Sequence, residues 1–512
     1  MKKTVDLFAF FSKNDVHENL GLGYIKSYLE EKGVNTIIHV AYIDSDFDPN
    51  KYFQEREPLI VGFSVYELVK EKILESAKLL KNKYPQIHIC FGGPDVVDQG
   101  KQILETYEYI DSVCNGDGHD ALLELTNCLY NNLDYSNCKG ITFRKGDKII
   151  SNGSLFDSNL DLLPFPSRDL FEKKPNKSMF IMSSRECYGH CTFCVGKKNK
   201  NKETIKHRNP CNFVDELEML KNKYNVDRFY FVDPTFEDPN INKAISVYNE
   251  IINRKIDISF YIQTRSEIVV EKYDKEYMSL AKNAGLSSVH LGIESGNKDD
   301  LLLYGKIASV EDNYNAVKKL LDYGFEVLPG FINFNPYSTF DRLRENIIFL
   351  KNSGLIFSTF SLLSALKVYK NSPIAKKIIN DCLVNEEFKI DEFGSNIKFV
   401  NKNVEYLYHS LKSLFSDYDT LVAQIEIDSD KIWLEKRNIF NDELRELYNQ
   451  FVDIRRQYME YLFNYFMKCI DLIEINKNEL DELIRENQFE YHNKLLWSNY
   501  MKFKKKSIKY LL

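Results

Sequence analysis

The chain has 512 residues, which at roughly 100–200 residues per domain predicts two to four domains. Its hydrophobic fraction of 44% and charged fraction of 28% exclude wholesale disorder and collagen-like repetition. The net charge of −7 gives no support to a protein that coats nucleic acid, and 10 cysteines are too few for a disulfide scaffold. No stretch reaches the roughly 18 continuous apolar residues that span a bilayer, and no small-residue cleavage site follows the N-terminus. We therefore expect a cytoplasmic protein in which clustered cysteines indicate metal.

Residues 1–150 alternate short apolar runs with helical patterns, which is typical of a doubly wound, Rossmann-like parallel sheet. Ligands bind such sheets outside the carboxyl ends of the strands, and glycines fall at three of the predicted strand ends. The predicted strands are Val5–Phe11, Asn35–Val40, Leu59–Phe63 and Ile87–Phe91, and the predicted helices are Leu20–Lys32 and Leu68–Lys83.

The rest of the chain divides into three predicted parts. A hairpin with its turn at Gly146–Asp147 leads into a connector over 151–177, in which two prolines interrupt any helix. The βα rhythm resumes over 178–400 and fits a partial (β/α)6 TIM-like barrel, which places chemistry at the carboxyl ends of its strands. Residues 401–512 form a predicted α-helical domain, in which the clearest helix is Asp442–Ile475. The six predicted barrel strands are Met179–Ser183, Arg228–Val232, Ile258–Gln263, Ser288–Gly292, Val327–Ile332 and Phe357–Leu366.

Three cysteines, Cys187, Cys191 and Cys194, cluster in the segment SSRECYGHCTFCVG with the spacing C-x3-C-x2-C. They follow a predicted strand, so the loop lies where a barrel places its active site. Structural zinc normally needs a fourth close ligand, usually from two C-x2-C pairs; His190 lies inside the loop, but no second pair is near. Three thiolates on a four-iron cluster leave one iron open for a substrate or cofactor. Three incidental cysteines or a zinc loop are the alternatives.

The cysteine loop resembles the signature of the radical S-adenosylmethionine (SAM) superfamily. This resemblance implies that Cys187, Cys191 and Cys194 hold a 4Fe-4S cluster whose open iron chelates SAM, and that reductive cleavage yields a 5′-deoxyadenosyl radical. The aromatic Phe193 before the third cysteine matches a family position near the adenine.

Three further segments resemble the following strands of the same family: FYFVDPTF (229–236), IQTRSE (262–267) and LGIESGN (291–297). The resemblance implies that Asp233, Arg265, Glu294 and Ser295 bind SAM. Carboxylates suit the amino group of this cofactor and a cation suits its carboxylate. The fifth-strand segment GFINFNPYSTFD departs from the more glycine-rich family pattern.

Residues 1–150 resemble the cobalamin-binding domain that precedes the radical domain in one large subfamily. The segments that carry the resemblance are LGLGYIKSYLEEKG (20–33), VGFS (61–64), FGGPD (91–95) and NGDGHDAL (115–122). They imply a cobalamin site that includes His17, Ser64, Gly92, Gly93, Gly116 and Gly118. His17 matches a lower cobalt ligand, although Gly21 falls one residue late and many members of the subfamily lack the histidine. Asp117 and His119 replace the usual glutamates, so a degenerate domain kept for its shape or for substrate binding is the alternative.

The resemblance implies C-methylation of an unactivated carbon in a natural-product or peptide substrate. The deoxyadenosyl radical would remove hydrogen, methylcobalamin would deliver the methyl group, and an electron donor such as flavodoxin or ferredoxin would drive the cycle. The first alternative is a non-methylating radical enzyme with a degenerate cobalamin domain, which epimerises a peptide residue, forms a cross-link or rearranges a ring. An epimerase would need a thiol, and Cys211, Cys382 and Cys469 are the spare thiols. The second is a tRNA-modifying enzyme, although no second N-terminal cysteine triad is present. The C-terminal helices either cover the barrel or recruit a partner.

Overall fold

The computed structural model describes most of the chain and divides it into two compact units. Unit 1 comprises Met1–Tyr188, Gly196–Ile262 and Ser279–Leu286, and unit 2 comprises Gly189–Val195, Gln263–Met278 and Ser287–Leu512. The predicted division at 150, 177 and 400 stays a prediction. The described residues are 4–12, 18–53, 56–66, 69–156, 159–173, 178–194, 205–355, 359–369, 372–384, 398–416, 442–486, 494, 497–502 and 504–505.

A seven-stranded sheet forms the N-terminal part of unit 1. Its strand order is β2-β1-β3-β4-β5-β6-β7; the first five strands run parallel, and the last two form an antiparallel hairpin. The order 2-1-3-4-5 is a doubly wound topology whose ligand crevice lies at the carboxyl edge, at the β1/β3 switch point. The strands are β1 (Val5–Phe11), β2 (Thr36–Tyr42), β3 (Ile60–Ser64), β4 (His88–Gly92), β5 (Ser112–Cys114), β6 (Ile141–Lys145) and β7 (Lys148–Ser151).

Every residue of β1 is buried, as expected for a central parallel strand that is covered on both faces. Phe8 and Phe10 join one hydrophobic cluster, whereas Leu7 and Ala9 join the other, so the two-residue alternation of a strand feeds two separate cores. The helices of unit 1 are α1 (Leu20–Glu31), α2 (Pro49–Phe53), α3 (Lys70–Lys83), α4 (Gly100–Thr106), α5 (Gly118–Tyr130), α6 (Asp169–Lys173), α7 (Pro210–Tyr224) and α8 (Asn242–Asn253).

A second sheet has the strand order β14-β13-β12-β11-β8, with parallel pairs β8·β11, β11·β12 and β13·β14. The predicted fold class is confirmed: two α/β parts with parallel sheets and a helical C-terminal region. The strands are β8 (Ser178–Ile181), β11 (Arg228–Phe231), β12 (Ser259–Arg265), β13 (Leu286–Glu294) and β14 (Glu326–Phe331), and β9 (Ser184–Arg185) pairs separately with β10 (Lys206–His207).

The sixth predicted barrel strand, Phe357–Leu366, is wrong over most of its length. Thr359–Leu363 form a helix, and only Ala365 makes a strand-like bridge, to Phe334. Residues 356–358 lie outside the described residues. A short apolar run has no period that separates a buried strand from a buried helix.

The predicted helix Asp442–Ile475 is confirmed with the same bounds. Its buried Leu462, Phe466, Cys469 and Ile473 follow the spacing of one helical face. Phe334, three residues after the end of β14, packs its ring against those of Tyr408 and Phe466, so within unit 2 the C-terminal helices contact the segment that follows the sheet. Among the described residues, no helix is both long and apolar enough to cross a membrane. The remaining helices are α9 (Ser266–Lys272), α10 (Lys275–Ala284), α11 (Lys298–Leu303), α12 (Val310–Asp322), α13 (Phe340–Ser353), α14 (Thr359–Leu363), α15 (Pro373–Asn380), α16 (Lys402–Ser416), α17 (Asp442–Ile475) and α18 (Lys477–Arg485).

Candidate functional site

The buried carboxylate of Asp233 braces the segment that leads to Cys187. Asp233 accepts hydrogen bonds from the backbone N–H of Ser183 (2.9 Å), from the N–H of Ser184, and from the hydroxyls of Ser183 (3.1 Å) and Ser184 (2.9 Å). Burial raises its pKa to about 6, and the hydrogen bonds from the two serines partly oppose that rise. These four donors come from inside the protein, so in this structure Asp233 positions the loop. Its contact with SAM stays a prediction.

The start of the cysteine loop is held by a short antiparallel pair. Arg185 lies opposite Lys206, and Arg208 donates its backbone N–H to the Ser183 carbonyl at 2.8 Å. The next residue, Glu186, has a φ of +69°, a left-handed conformation that side chains other than glycine rarely adopt. Cys187 follows and is half-buried, so its backbone leaves a fixed strand through a sharp turn.

The second half of the loop rests on residues 303–305, within unit 2. The N–H of Thr192 donates to the Tyr304 carbonyl at 2.9 Å, and its hydroxyl donates to the Leu303 carbonyl at 2.6 Å. The Phe193 ring meets that of Tyr304 edge-on, with centroids 5.6 Å apart. Phe193 therefore helps to anchor the loop, and its predicted contact with the adenine stays a prediction.

Arg265 lies directly against the cysteine loop. Its Nη1 donates to the Cys191 sulfur at 3.2 Å, and its Nε donates to Glu267. Burial by itself lowers the pKa of Arg265, but Cys191 and Glu267 more than offset it and hold that pKa above its usual range. A Cβ at Gly189 would lie 2.2 Å from Nη1, so the loop leaves no room for a side chain there unless the guanidinium moves. The structure thus brings two predicted site residues, Arg265 and Cys191, together.

Glu294 ends β13 in a strained conformation. Its φ is +66°, the pairing with β14 shifts at this point, and such outliers, which cost about 1–3 kcal/mol, cluster at functional sites. Lys306 lies 3.5 Å from its carboxylate and donates to the Gly292 carbonyl at 2.7 Å. Burial raises the pKa of Glu294, while Lys306 and Arg265 lower it, so the two predicted cofactor residues Glu294 and Arg265 act on each other electrostatically.

Ser295 is fully buried and belongs to an internal network. Its hydroxyl donates to the Asn346 side-chain oxygen at 2.8 Å and accepts from the Asn297 N–H at 3.1 Å. Its predicted contact with SAM stays a prediction, and in this structure the hydroxyl fixes the turn after Glu294.

A cavity of about 160 Å³ opens at the carboxyl edge of the N-terminal sheet. The structure brings five predicted cobalamin residues to its wall: Ser64, Gly92, Gly93, Gly116 and Gly118. The sixth, His17, lies outside the described residues. Gly116 has a φ of +108°, and a Cβ there would lie 2.1 Å from the Leu155 carbonyl oxygen, so only glycine fits this turn.

Two wall residues, Tyr24 and Arg185, were missed by the sequence analysis. The Tyr24 hydroxyl is buried without a hydrogen-bond partner among the described residues, and burial raises its pKa. Arg185 lies over the Tyr24 ring at 5.9 Å from its centroid and forms an ion pair with Asp117 at 2.8 Å. The available signals were the place of Arg185 two residues before Cys187 and that of Tyr24 one turn into a motif-bearing helix.

The residues present fit both implied cofactors in chemistry. A glycine-lined, largely apolar crevice with a polar end suits part of a corrinoid, and three thiols on one loop suit a 4Fe-4S cluster with an open iron. Among the described residues no three His, Cys, Asp or Glu side chains are gathered closely enough to hold a metal ion. A metal commonly assembles its own ligands on binding, so the role of the three cysteines as ligands stays a prediction.

Two family profiles match the sequence. Residues 181–350 match the radical SAM superfamily, and residues 12–126 match the B12 binding domain. These matches confirm both resemblances seen in the sequence. The same two matches also confirm the expected cofactors: a 4Fe-4S cluster, SAM and cobalamin.

Two curated relatives and one solved structure show how the match extends. An uncharacterized methyltransferase of Pyrococcus horikoshii is 26% identical over 67% of this chain and 75% of its own length. An anaerobic magnesium-protoporphyrin IX monomethyl ester cyclase of Rubrivivax gelatinosus is 26% identical over 63% of this chain and 60% of its own length. The solved structure is that of the cobalamin-dependent SAM radical enzyme OxsB with aqua-cobalamin and SAM bound. Its alignment with this chain covers 99% of this chain and 80% of the OxsB chain, with a TM-score of 0.71 and 19% sequence identity. This last likeness extends the shared fold into the C-terminal helices.

Proposed function

The chain is a radical SAM enzyme with a B12 binding domain, and we propose that it transfers a methyl group to an unactivated carbon of a small-molecule or peptide substrate. The observation that carries the proposal is the cavity at the carboxyl edge of the N-terminal sheet, walled by the five residues that the cobalamin resemblance implies. The name of the Pyrococcus relative, a methyltransferase, supports methyl transfer. When bound, the cluster and SAM supply the radical that removes hydrogen, and cobalamin supplies the methyl group.

The overall reaction balances with two equivalents of SAM and two electrons. One SAM is cleaved reductively to methionine and 5′-deoxyadenosine, which keeps the hydrogen taken from the substrate. The other loses its methyl group and leaves S-adenosylhomocysteine. The electrons come from an external one-electron donor; flavodoxin or ferredoxin, a cytoplasmic location and the absence of a nucleic-acid substrate stay our predictions.

The residues of the chain contribute position and charge. Cys187, Cys191 and Cys194 would ligate the cluster, and Arg265 would hold Cys191 in place through its 3.2 Å contact. The Glu294 carboxylate would accept hydrogen bonds from the amino group of SAM, because a cation beside a buried carboxylate favours the charged form of that carboxylate. Asp233 keeps the strand before Cys187 fixed through Ser183 and Ser184.

A non-methylating radical enzyme is the second candidate, and the name of the Rubrivivax relative, a cyclase, favours it. Such an enzyme would cleave SAM without forming S-adenosylhomocysteine. If it were an epimerase it would need a thiol hydrogen donor, for which Cys211 and Cys382 are exposed and Cys469 is buried. Burial raises the pKa of Cys469 to about 12, which suits a structural thiol.

The test needs no knowledge of the substrate. The protein is reconstituted without oxygen with iron, sulfide and hydroxocobalamin, desalted, and supplied with a strong reductant and SAM labelled in its methyl group. We expect retained corrinoid, label on the corrinoid with matching S-adenosylhomocysteine, and 5′-deoxyadenosine that disappears in Cys191→Ala. Retained corrinoid and 5′-deoxyadenosine without S-adenosylhomocysteine would favour the second candidate, and loss of all corrinoid on desalting would refute methyl transfer.

A further inference from the structure

The cavity wall contains one residue that does not come from the N-terminal sheet domain. The described wall residues all lie between Leu7 and Leu122, except Arg185, which belongs to the strand that leads into the cysteine loop. Arg185 therefore borders the proposed corrinoid cavity and also stands two residues before Cys187 in the chain. Neither the motifs nor the proposed chemistry explains why a cation should be there.

Three contacts fix the Arg185 side chain and backbone within unit 1. Its guanidinium pairs with Asp117 at 2.8 Å and lies over the Tyr24 ring, and its backbone pairs with Lys206 in the short antiparallel ladder. The side chains of Arg185 and Asp117 are only 22% and 19% exposed, so the pair is screened less than a surface pair. Asp117 belongs to the turn between Gly116 and Gly118, which forms another part of the cavity wall.

The connection from Arg185 to Cys187 is short. Glu186 is the one residue between them; its φ of +69° leaves little freedom, and its carboxylate lies 3.9 Å from Lys206. On the other side of Arg185, Ser184 and Ser183 are tied to Asp233. A displacement of the guanidinium by a ligand in the cavity would therefore pass to Cys187 through a single intervening residue, Glu186.

We propose that Arg185 is a positioning residue that couples occupancy of the corrinoid cavity to the position of Cys187 in the cluster loop. A cluster on Cys187 fixes the strand end and thereby the Arg185 wall of the cavity, and a corrinoid against that wall fixes the strand end in return. Such a coupling is reciprocal: whatever factor the cluster adds to corrinoid affinity, the corrinoid adds to cluster retention. The inference rests on the proposed corrinoid site, and it goes beyond it by giving that site a link to the second cofactor.

Tyr24 supplies the matched control. Its hydroxyl is a buried polar group of the wall that has no hydrogen-bond partner among the described residues, so a hydrogen-bond acceptor of the corrinoid would satisfy it. Tyr24→Phe removes the hydroxyl and keeps the ring under Arg185. This variant should weaken corrinoid binding without changing the coupling between the cavity and Cys187.

The experiment measures the affinity of hydroxocobalamin by anaerobic equilibrium dialysis, with full-length protein before and after cluster reconstitution. We expect the cluster to raise the affinity about fivefold or more, at the lower range of typical couplings. In Arg185→Gln and Asp117→Asn this ratio should fall to one, with wild-type circular dichroism. In Tyr24→Phe both affinities should fall together, by about fivefold for one lost hydrogen bond, and the ratio should persist.

Two results would overturn the coupling while leaving the proposed function intact. One is a wild-type protein that binds the corrinoid equally well with and without the cluster. The other is an undiminished ratio in Arg185→Gln and Asp117→Asn. A wild-type protein that binds no corrinoid in either state would instead refute the proposed function. If Arg185→Gln does not fold, Asp117→Asn decides the question from the other side of the ion pair.

Discussion

Replacing Gly189 by alanine tests the contact between Arg265 and the cysteine loop. The added Cβ would lie 2.2 Å from Nη1 and 2.8 Å from Cζ of Arg265, well inside the ordinary contact distance of 3.4 Å. The guanidinium cannot move freely, because Glu267 and Cys191 hold it and only 6% of Arg265 is exposed. Relief therefore requires breaking the Cys191 contact or shifting the loop.

The expected cost of Gly189→Ala is about 1–3 kcal/mol, the usual range for overpacking a buried site. Breaking the charge-assisted contact with Cys191 would place the loss in the upper part of that range. Gly189 has no positive φ, so backbone strain does not add to this cost. The three atoms nearest to the added Cβ all belong to Arg265, so we expect the loss to depend on that side chain.

The assay is a double-mutant cycle on the cluster-free protein, read as the shift in the urea unfolding midpoint. The second background carries Arg265→Gln and Glu267→Gln together, so that no buried carboxylate is left unpaired. We expect Gly189→Ala to lower the midpoint clearly in the wild-type background and to leave it nearly unchanged in the second. An equal loss in both backgrounds would refute the reasoning, because the cost would then come from the glycine backbone.

Of three further predictions, two concern buried charged residues and the third concerns the turn at Gly116. Asp233 has a folded pKa of about 6 against 3.8 unfolded, so the folded state binds the extra proton between these values and stability falls as pH rises from about 4 to about 6, by up to about 3 kcal/mol. Asp233→Asn should remove this slope in urea titrations, and an unchanged slope would contradict the assignment. Glu216→Gln removes the charge that balances the buried Arg168 and Arg208 and should lower the free energy of unfolding by about 3–5 kcal/mol. The control Glu218→Gln, on the exposed side of the same helix, should lower it by at most about 1 kcal/mol. Equal urea unfolding midpoints for the two variants would count against the buried network. Gly116→Ala should abolish corrinoid retention after desalting, while Gly153→Ala, also at positive φ but with nothing within 4 Å, should retain it. Retention by both would show that the turn at Gly116 does not shape the site.

The sequence predicted the fold where a pattern was long or repeated. Helix Asp442–Ile475 has the bounds that its apolar period predicted, because a period of about 3.6 residues sustained over 34 residues has no competing interpretation. The segment Phe357–Leu366 is a short apolar run with no such period, and there the strand prediction was wrong. The two segments differ in the length of their periodic apolar pattern rather than in their hydrophobicity.

Only those site residues that belong to a recognisable motif could be predicted from the sequence. The glycines at Gly92, Gly93, Gly116 and Gly118 meet at one cavity because the carboxyl ends of parallel strands share an edge. Arg185 and Tyr24 meet there through tertiary packing between residues that lie 161 positions apart in the chain, which no local pattern encodes. A side chain's partners are a property of the fold, and residue type alone does not supply them.

The predicted cofactor residues differ in what their polar atoms already do. Asp233 and Ser295 use their oxygens on protein donors and acceptors, and each is fully buried, so their first effect is to fix the loops that bear Cys187 and Glu294. Glu294 keeps a strained backbone and a carboxylate whose raised pKa an approaching cation would lower. Arg265 stands between these cases, since it holds Cys191 and still acts electrostatically on Glu294. A residue that matches a binding motif can therefore serve binding indirectly, by holding the residue that makes the contact, and Glu294 is the member of this set with the strongest physical case for touching the cofactor itself.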